Sequence, residues 1–197
     1  MMEADLKAQA ATAMGLLRGI SRASFPLEFI DSALRTIQET DSAIRPQVQP
    51  DAAAQRLTSS HSLAFATREV AELELSVEAA ITVVSRWLDP KVDGLQGLPA
   101  NAWRVQSDEL VAAVANAGEM LEAAAMHWYY ASGVLDVIVT CWFNHIPLNV
   151  REAWVQDART SLASARDRLN DARASVSKAC TAATGARDAG KIIIDLL

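Results

Sequence analysis

Residues 155–197 read VQDARTSLASARDRLNDARASVSKACTAATGARDAGKIIIDLL and carry apolar or small residues at alternating spacings of three and four. The repeat is formed by Val155, Ala158, Leu162, Ala165, Leu169, Ala172, Val176, Ala179, Ala183, Ala186, Gly190, Ile193 and Leu197. Six consecutive heptads of this kind predict one long helix whose axis lies nearly parallel to those of its neighbours. Because alternate positions are almost all alanine, a neighbouring helix can approach to near the short end of the usual spacing of about 8–10 Å.

The composition favours helix in the rest of the chain as well. Just over half of the 197 residues are apolar, many of them alanine, whereas there are only 8 glycines and 6 prolines. Alanine has the highest helix propensity, and glycine and proline have the lowest. A chain of this length buries a substantial core without disulfides or metal ions. We therefore predict a single helical domain over residues 1–197.

The first stretch with helical spacing runs over about residues 3–45. It is interrupted at Ser24-Phe25-Pro26, where Ser24 is suited to cap a new helix and Pro26 to occupy its first turn. We expect two shorter helices or one helix that is kinked or split near Pro26. The prolines of residues 46–50 then end this stretch, since each disfavours helix in the residue before it.

Two further stretches complete the pattern. The second is predicted to start with Asp51 as its N-cap and to continue to Leu88. The third is predicted to start at Ser107 and to reach about residue 144, as one helix or as two that meet at Gly133. Residues 89–106 form the longest predicted loop, which places Trp103 over an end of the bundle. Together the four long stretches predict an all-α, elongated antiparallel helical bundle.

The charge of the chain excludes one class of function. The formal net charge is −6, and a nucleic-acid-binding protein needs a basic face to neutralise phosphates. We therefore expect no nucleic-acid partner. Eleven acidic residues lie between residues 51 and 122, and eight basic residues lie between residues 151 and 191, so we predict acidic and basic helices side by side.

Residues 123–148, AAAMHWYYASGVLDVIVTCWFNHIPL, are unusually apolar and carry one formal charge, Asp136. An all-round apolar helix leaves one face uncovered in a simple four-helix bundle, so some of these aromatic residues should be exposed. We expect Asp136 to point to solvent or to pair with a base such as Arg166 or Arg168. The candidate contact residues for a partner, a membrane or a ligand are Trp128, Tyr129, Tyr130, Asp136, Trp142 and Phe143.

No motif in the sequence predicts catalysis. Cys141 and His145 share a helical face, alone or with His127, but their spacing matches no closed zinc site or established nucleophile–base pair. There is no Glu-x-x-His pair, phosphate-binding glycine loop or nucleophile elbow. We expect no enzymatic activity, no metal and no cofactor.

These observations favour a non-enzymatic interaction or scaffold module that works through helix–helix contacts with a protein partner or with a second copy of itself. One alternative is a membrane-active bundle of the pore-forming or cell-death type that releases the apolar segment 123–143. Another is a carrier of a small apolar molecule held between the helices. Two cysteines and an acidic start without a signal-peptide pattern predict a cytoplasmic location.

Overall fold

The computed structural model describes residues 2–87, 98–142 and 146–196. Within these ranges the regular structure is helical and contains no strand. The helices are α1 (Met2–Ile20), α2 (Phe25–Ala43), α3 (Asp51–Ser59), α4 (Ser62–Trp87), α5 (Leu98–Cys141) and α6 (Leu148–Leu196). The predicted all-α helical bundle is confirmed.

Helix α6 contains the repeat of apolar and small residues that begins at Val155. Every position of the repeat from Val155 to Ile193 is buried, and Leu197 lies outside the described residues. The heptad pattern therefore predicted the buried face of α6 correctly. Ser161, Ser175, Ala182 and Ala189 lie beside the repeat and are also buried, so the buried face is wider than the repeat alone.

The chain divides into two compact units. Unit 1 comprises residues 1–24, 68–117 and 174–197, and unit 2 comprises residues 25–67 and 118–173. The prediction of a single domain stays a prediction.

In unit 1, α5 and α6 run antiparallel. Near its start α5 places Trp103 beside Gly190 and Gln106 beside Gly185. Further along α5, the amide of Asn116 donates to the Ser175 hydroxyl over 2.6 Å. Helix α1 also runs against α6, since Met14 contacts Gly190 while the Cys180 thiol donates to the Ala23 carbonyl at 3.9 Å.

In unit 2, α2 runs antiparallel to both α6 and the α3–α4 segment. Asp31 pairs with Arg173 at 2.8 Å, and Asp41 pairs with Arg159 at 3.4 Å. On another side of α2, the rings of Phe29 and Phe65 lie 5.2 Å apart between centroids. The two ion pairs join basic residues of α6 to α2, whereas the charge pattern had placed the acidic helices between residues 51 and 122.

The break near Pro26 is confirmed, because α1 ends at Ile20 and α2 begins at Phe25. The predicted continuity of the helix from Asp51 to Leu88 is wrong, because α3 ends at Ser59 and α4 begins at Ser62; its predicted end, Leu88, lies outside the described residues. Ser60 has extended backbone, and its hydroxyl lies 2.8 Å from that of Ser62. Short hydroxyl side chains compete with the helix for backbone hydrogen bonds. Four of the five residues from 58 to 62 carry such a side chain: Thr58, Ser59, Ser60 and Ser62.

Two predicted helix starts are also corrected. Pro50, rather than Asp51, occupies the N-cap of α3, and no side chain caps that helix; Asp51 is its first residue. Helix α5 begins at Leu98, well before the predicted Ser107, so part of the predicted loop is helical. Proline is tolerated in a first helical turn, and Pro99 therefore did not prevent an earlier start. Trp103 accordingly lies within the helix, where it is buried.

Candidate interaction surface

Helix α5 presents two opposite stripes along residues 121–141, and the first is core. Its members recur at spacings of three and four: Leu121, Ala124, Trp128, Ala131, Leu135 and Ile138, and all are buried. Helix α5 is continuous through Gly133, so the alternative in which two helices meet at Gly133 is wrong. The apolar segment thus contributes one full face to the core of unit 2.

The second stripe faces solvent and has the same period. We call Met126, Tyr129, Tyr130, Gly133, Asp136, Val137 and Thr140 the exposed stripe, and every one of them is exposed. Its apolar members keep large exposed fractions, 75% for Met126, 68% for Tyr129 and 47% for Val137. The prediction that some aromatic residues of this segment are exposed is confirmed. Large apolar side chains exposed side by side on one helix face are typical of an interaction site.

A groove runs beside the exposed stripe in unit 2. It has a volume of about 480 Å³ and is lined by Tyr129, Tyr130, Gly133, Val134, Val137, Trp154 and Asp157. Gly133 lies near the centre of this α5 groove, and a Cβ added there would meet nothing within 4 Å. Glycine inside a helix costs about 0.5–1 kcal/mol relative to alanine. No contact within the described structure explains why this position lacks a side chain.

Trp128, in contrast, is a core residue. Its indole N–H donates to the Leu57 carbonyl at 3.3 Å, which satisfies the one polar atom of a buried ring. It also lines a cavity of about 270 Å³ with Tyr129 and His61, whereas Tyr130 lines the α5 groove. Trp128 and Tyr130, two of the candidate contact residues, therefore line different cavities.

The other predicted contact residues lie in different environments. Trp142 follows α5 directly, is half-buried and carries the Arg151 guanidinium 4.6 Å above its ring, a cation–π contact. Asp136 is exposed and points to solvent, which is one of the two arrangements predicted for it. Arg166 and Arg168 pair instead with acidic residues of their own helix, Asp167 and Asp171. Phe143 lies outside the described residues.

Several residues of this surface were missed from the sequence. Val137, Trp154 and Asp157 line the groove, and Gly133 was considered only as a helix boundary. A signal for the α5 residues was present, because the exposed stripe has the same spacing of three and four as the buried stripe. Trp154 immediately precedes Val155, the first position of the buried repeat in α6, and so lies at the edge of that helix's core face.

Among the described residues, no three His, Cys, Asp or Glu side chains lie close enough together to hold a metal ion. Cys141 is half-buried, and His145, its predicted neighbour on the helix, lies outside the described ranges. None of the helices in the described part of the chain combines the length and apolarity needed to cross a bilayer. Comparison with protein-family models, curated proteins and solved structures found no match for the chain.

Proposed function

We propose that this protein is a non-enzymatic interaction module and that the exposed stripe of α5 is its docking surface. The observation that carries the proposal is the exposed Gly133, which lies between aromatic and aliphatic side chains with nothing near its Cα hydrogen. A glycine in this position costs helix stability, and it allows a second backbone to approach closely. The partner surface that fits a straight helical stripe is another helix.

The occupant we propose is the same stripe of a second copy, in antiparallel orientation. The stripe is symmetric about Gly133, with Met126 and Thr140 at equal distances on either side. A two-fold axis through Gly133 makes the same patch bind itself, which is the arrangement most homodimers use. The two glycines would then meet where the helices approach most closely.

This arrangement also gives Asp136 a partner. At 1.5 Å per residue, Tyr129 lies about 6 Å before Gly133 and Asp136 about 4.5 Å after it. On an antiparallel copy the two therefore fall at similar heights, and both lie on the same edge of the stripe. The Tyr129 hydroxyl would donate to the Asp136 carboxylate of the second copy, a charge-assisted hydrogen bond. Tyr130 would pack against Val137 of the second copy on the other edge.

Sedimentation velocity and light scattering over a concentration series test the proposal. We expect a concentration-dependent dimer for the wild type. Gly133→Gln places a side chain at the point of closest approach and should weaken dimerisation at least tenfold. Gly19→Gln is the matched control, because Gly19 is also an exposed helical glycine with nothing within 4 Å.

A wild type that stays monomeric at every concentration, or a dimer unaffected by Gly133→Gln, would contradict self-association through α5. Flotation of the same proteins with liposomes separates this proposal from the membrane-active alternative. Lipid binding by a monomeric wild type would favour release or insertion of residues 123–143. Since Cys141 and Cys180 are both free thiols, we propose the reducing cytoplasm as the compartment in which the module works.

A further inference from the structure

Unit 1 contains a second groove whose chemistry is opposite to that of the α5 groove. It has a volume of about 460 Å³, and its apolar floor includes Met14 and Gly15 of α1. Four cationic side chains line it, Arg18 and Arg22 from the α1 side and Arg187 and Lys191 from α6. We call it the basic groove. It concentrates four positive charges in a chain whose net charge is −6.

These cations are placed at a cost to the fold. Arg18 and Arg22 are four residues apart, and so are Arg187 and Lys191. Like charges four residues apart on one helix destabilise that helix, which applies to Arg187 and Lys191 of α6, because Arg22 lies beyond the end of α1. Arg187 pairs with Asp188 at 2.9 Å, whereas Arg18, Arg22 and Lys191 form no ion pair with any described residue. Elsewhere in the chain, arginines such as Arg56 and Arg159 have acidic partners on other helices.

The dipole of α1 accounts for only part of this arrangement. Arg18 lies in the last turn of α1 and Arg22 just beyond it, where positive charge stabilises the helix terminus. That effect falls off beyond the last turn. Arg187 and Lys191 lie nine and five residues before Leu196, the end of α6, so the dipole of that helix does not explain them. Their position opposite the α1 arginines is what joins the four charges into one groove.

We propose that the basic groove binds a phosphate-bearing anion with at least two negative charges. Guanidinium groups bind phosphate oxygens through paired, charge-assisted hydrogen bonds, and three of the four cations are arginines. Positive charges on two walls of a cleft focus the field and raise the local concentration of such anions. The volume lies within the range of small-molecule sites, which is about 300–1,000 Å³.

The same chemistry is offered by a free organic diphosphate and by a phosphorylated lipid headgroup. Both carry two or more phosphate charges, which can contact the cations on both walls of the groove. Nucleic acid fits less well, because a long polyanion needs a basic stripe that continues along the surface, and the rest of this chain is acidic overall.

Titration of the full-length protein with inorganic pyrophosphate, followed by calorimetry, is the first test. Arg18→Gln with Lys191→Gln removes one cation from each wall, and we expect it to weaken binding at least tenfold. Arg104→Gln with Lys178→Gln is the matched control, because both residues are exposed in unit 1 and the net charge changes equally. The control should bind as the wild type does. Circular dichroism verifies that both double variants are folded.

Vesicles of phosphatidylcholine, with and without phosphatidylinositol bisphosphate, form the second arm. Tighter binding to the phosphorylated vesicles than to pyrophosphate assigns the groove to a lipid headgroup, and the reverse assigns it to a soluble phosphate compound. Absence of binding to both probes overturns the proposal. Equal weakening by the two double variants also overturns it, since it would mean that overall charge, rather than the groove, attracts the anion.

Discussion

Thr40 is the buried residue whose substitution we expect to stabilise the protein. It lies in α2 with no exposed surface, and its hydroxyl has no hydrogen-bond partner among the residues that the structure describes. Threonine in a helix commonly donates to the carbonyl four residues earlier, and Thr12, Thr36 and Thr58 do so here. Thr40 does not, so its hydroxyl retains the cost of removal from water without a compensating bond.

Thr40→Val replaces this hydroxyl by a methyl group of similar size. Leaving a buried polar group unsatisfied costs about 1–3 kcal/mol, and valine and threonine have similar helix propensities. We therefore expect the free energy of unfolding to rise by about 1–2 kcal/mol. For a chain of this length, a change of that size raises the melting temperature by roughly 2–8 °C.

Thr36→Val is the matched control, one helical turn earlier in α2. The Thr36 hydroxyl is half-buried, donates to the Ser32 carbonyl at 3.1 Å and lies 3.4 Å from the Ser60 hydroxyl. Its removal should leave stability unchanged or lower it by about 0.5–1.5 kcal/mol, the net value of a typical hydrogen bond. Urea unfolding followed by circular dichroism and by tryptophan fluorescence measures both variants. If Thr40→Val is no more stable than Thr36→Val, the assignment of an unsatisfied hydroxyl is wrong.

Two further substitutions test other features of the helices. Gly118→Ala should raise the free energy of unfolding by about 0.5–1 kcal/mol, because alanine favours helix and a Cβ at this position meets nothing within 4 Å. Gly185→Ala should raise the free energy of unfolding by less in the same urea assay, because its new Cβ meets Gln106. Burial raises the pKa of the Cys180 thiol, an effect larger than the opposing one of a hydrogen bond from the backbone of Cys180 itself, so the fold favours the neutral thiol. In a Cys141→Ser background, the rate at which a disulfide reagent modifies Cys180 should therefore begin to rise at a higher pH in the folded protein than in the urea-unfolded protein. The free energy of unfolding should fall as the pH rises past the pKa of the unfolded thiol. Coincident pH profiles for the folded and unfolded proteins would contradict this.

The sequence was sufficient to predict what periodicity controls. The buried face of α6 and the exposure of aromatic residues in α5 follow from the distribution of apolar residues around a helix, and the break near Pro26 follows from the capping serine and the proline at that point. Local chemistry was harder to weigh. The hydroxyl cluster around Ser60 ended α3 inside a pattern that remained helical on both sides, and Pro99 permitted an early start of α5.

The candidate sites were less predictable because they depend on which helices become neighbours. Tyr129 and Tyr130 were recognised from composition, but Trp154 and Asp157 join them only through the packing of α6 against α5 within unit 2. The basic groove likewise combines Arg18 with Lys191, which are far apart in the chain. A single sequence shows the spacing within each helix and carries no direct record of the alignment between helices.

Gly185 and Gly190 of α6 affect the register in which α5 packs against α6 in unit 1. A seam of repeating alanines is nearly the same after a shift of seven residues, so on its own it would permit slipped register. A slip of one heptad would set Ala183 against Trp103 and Lys178 against Gln106, in place of Gly190 and Gly185. A Cβ at either glycine would press on a side chain that lies against it, Gln106 at Gly185 and Met14 at Gly190, so the two glycines favour the native alignment over the slipped one.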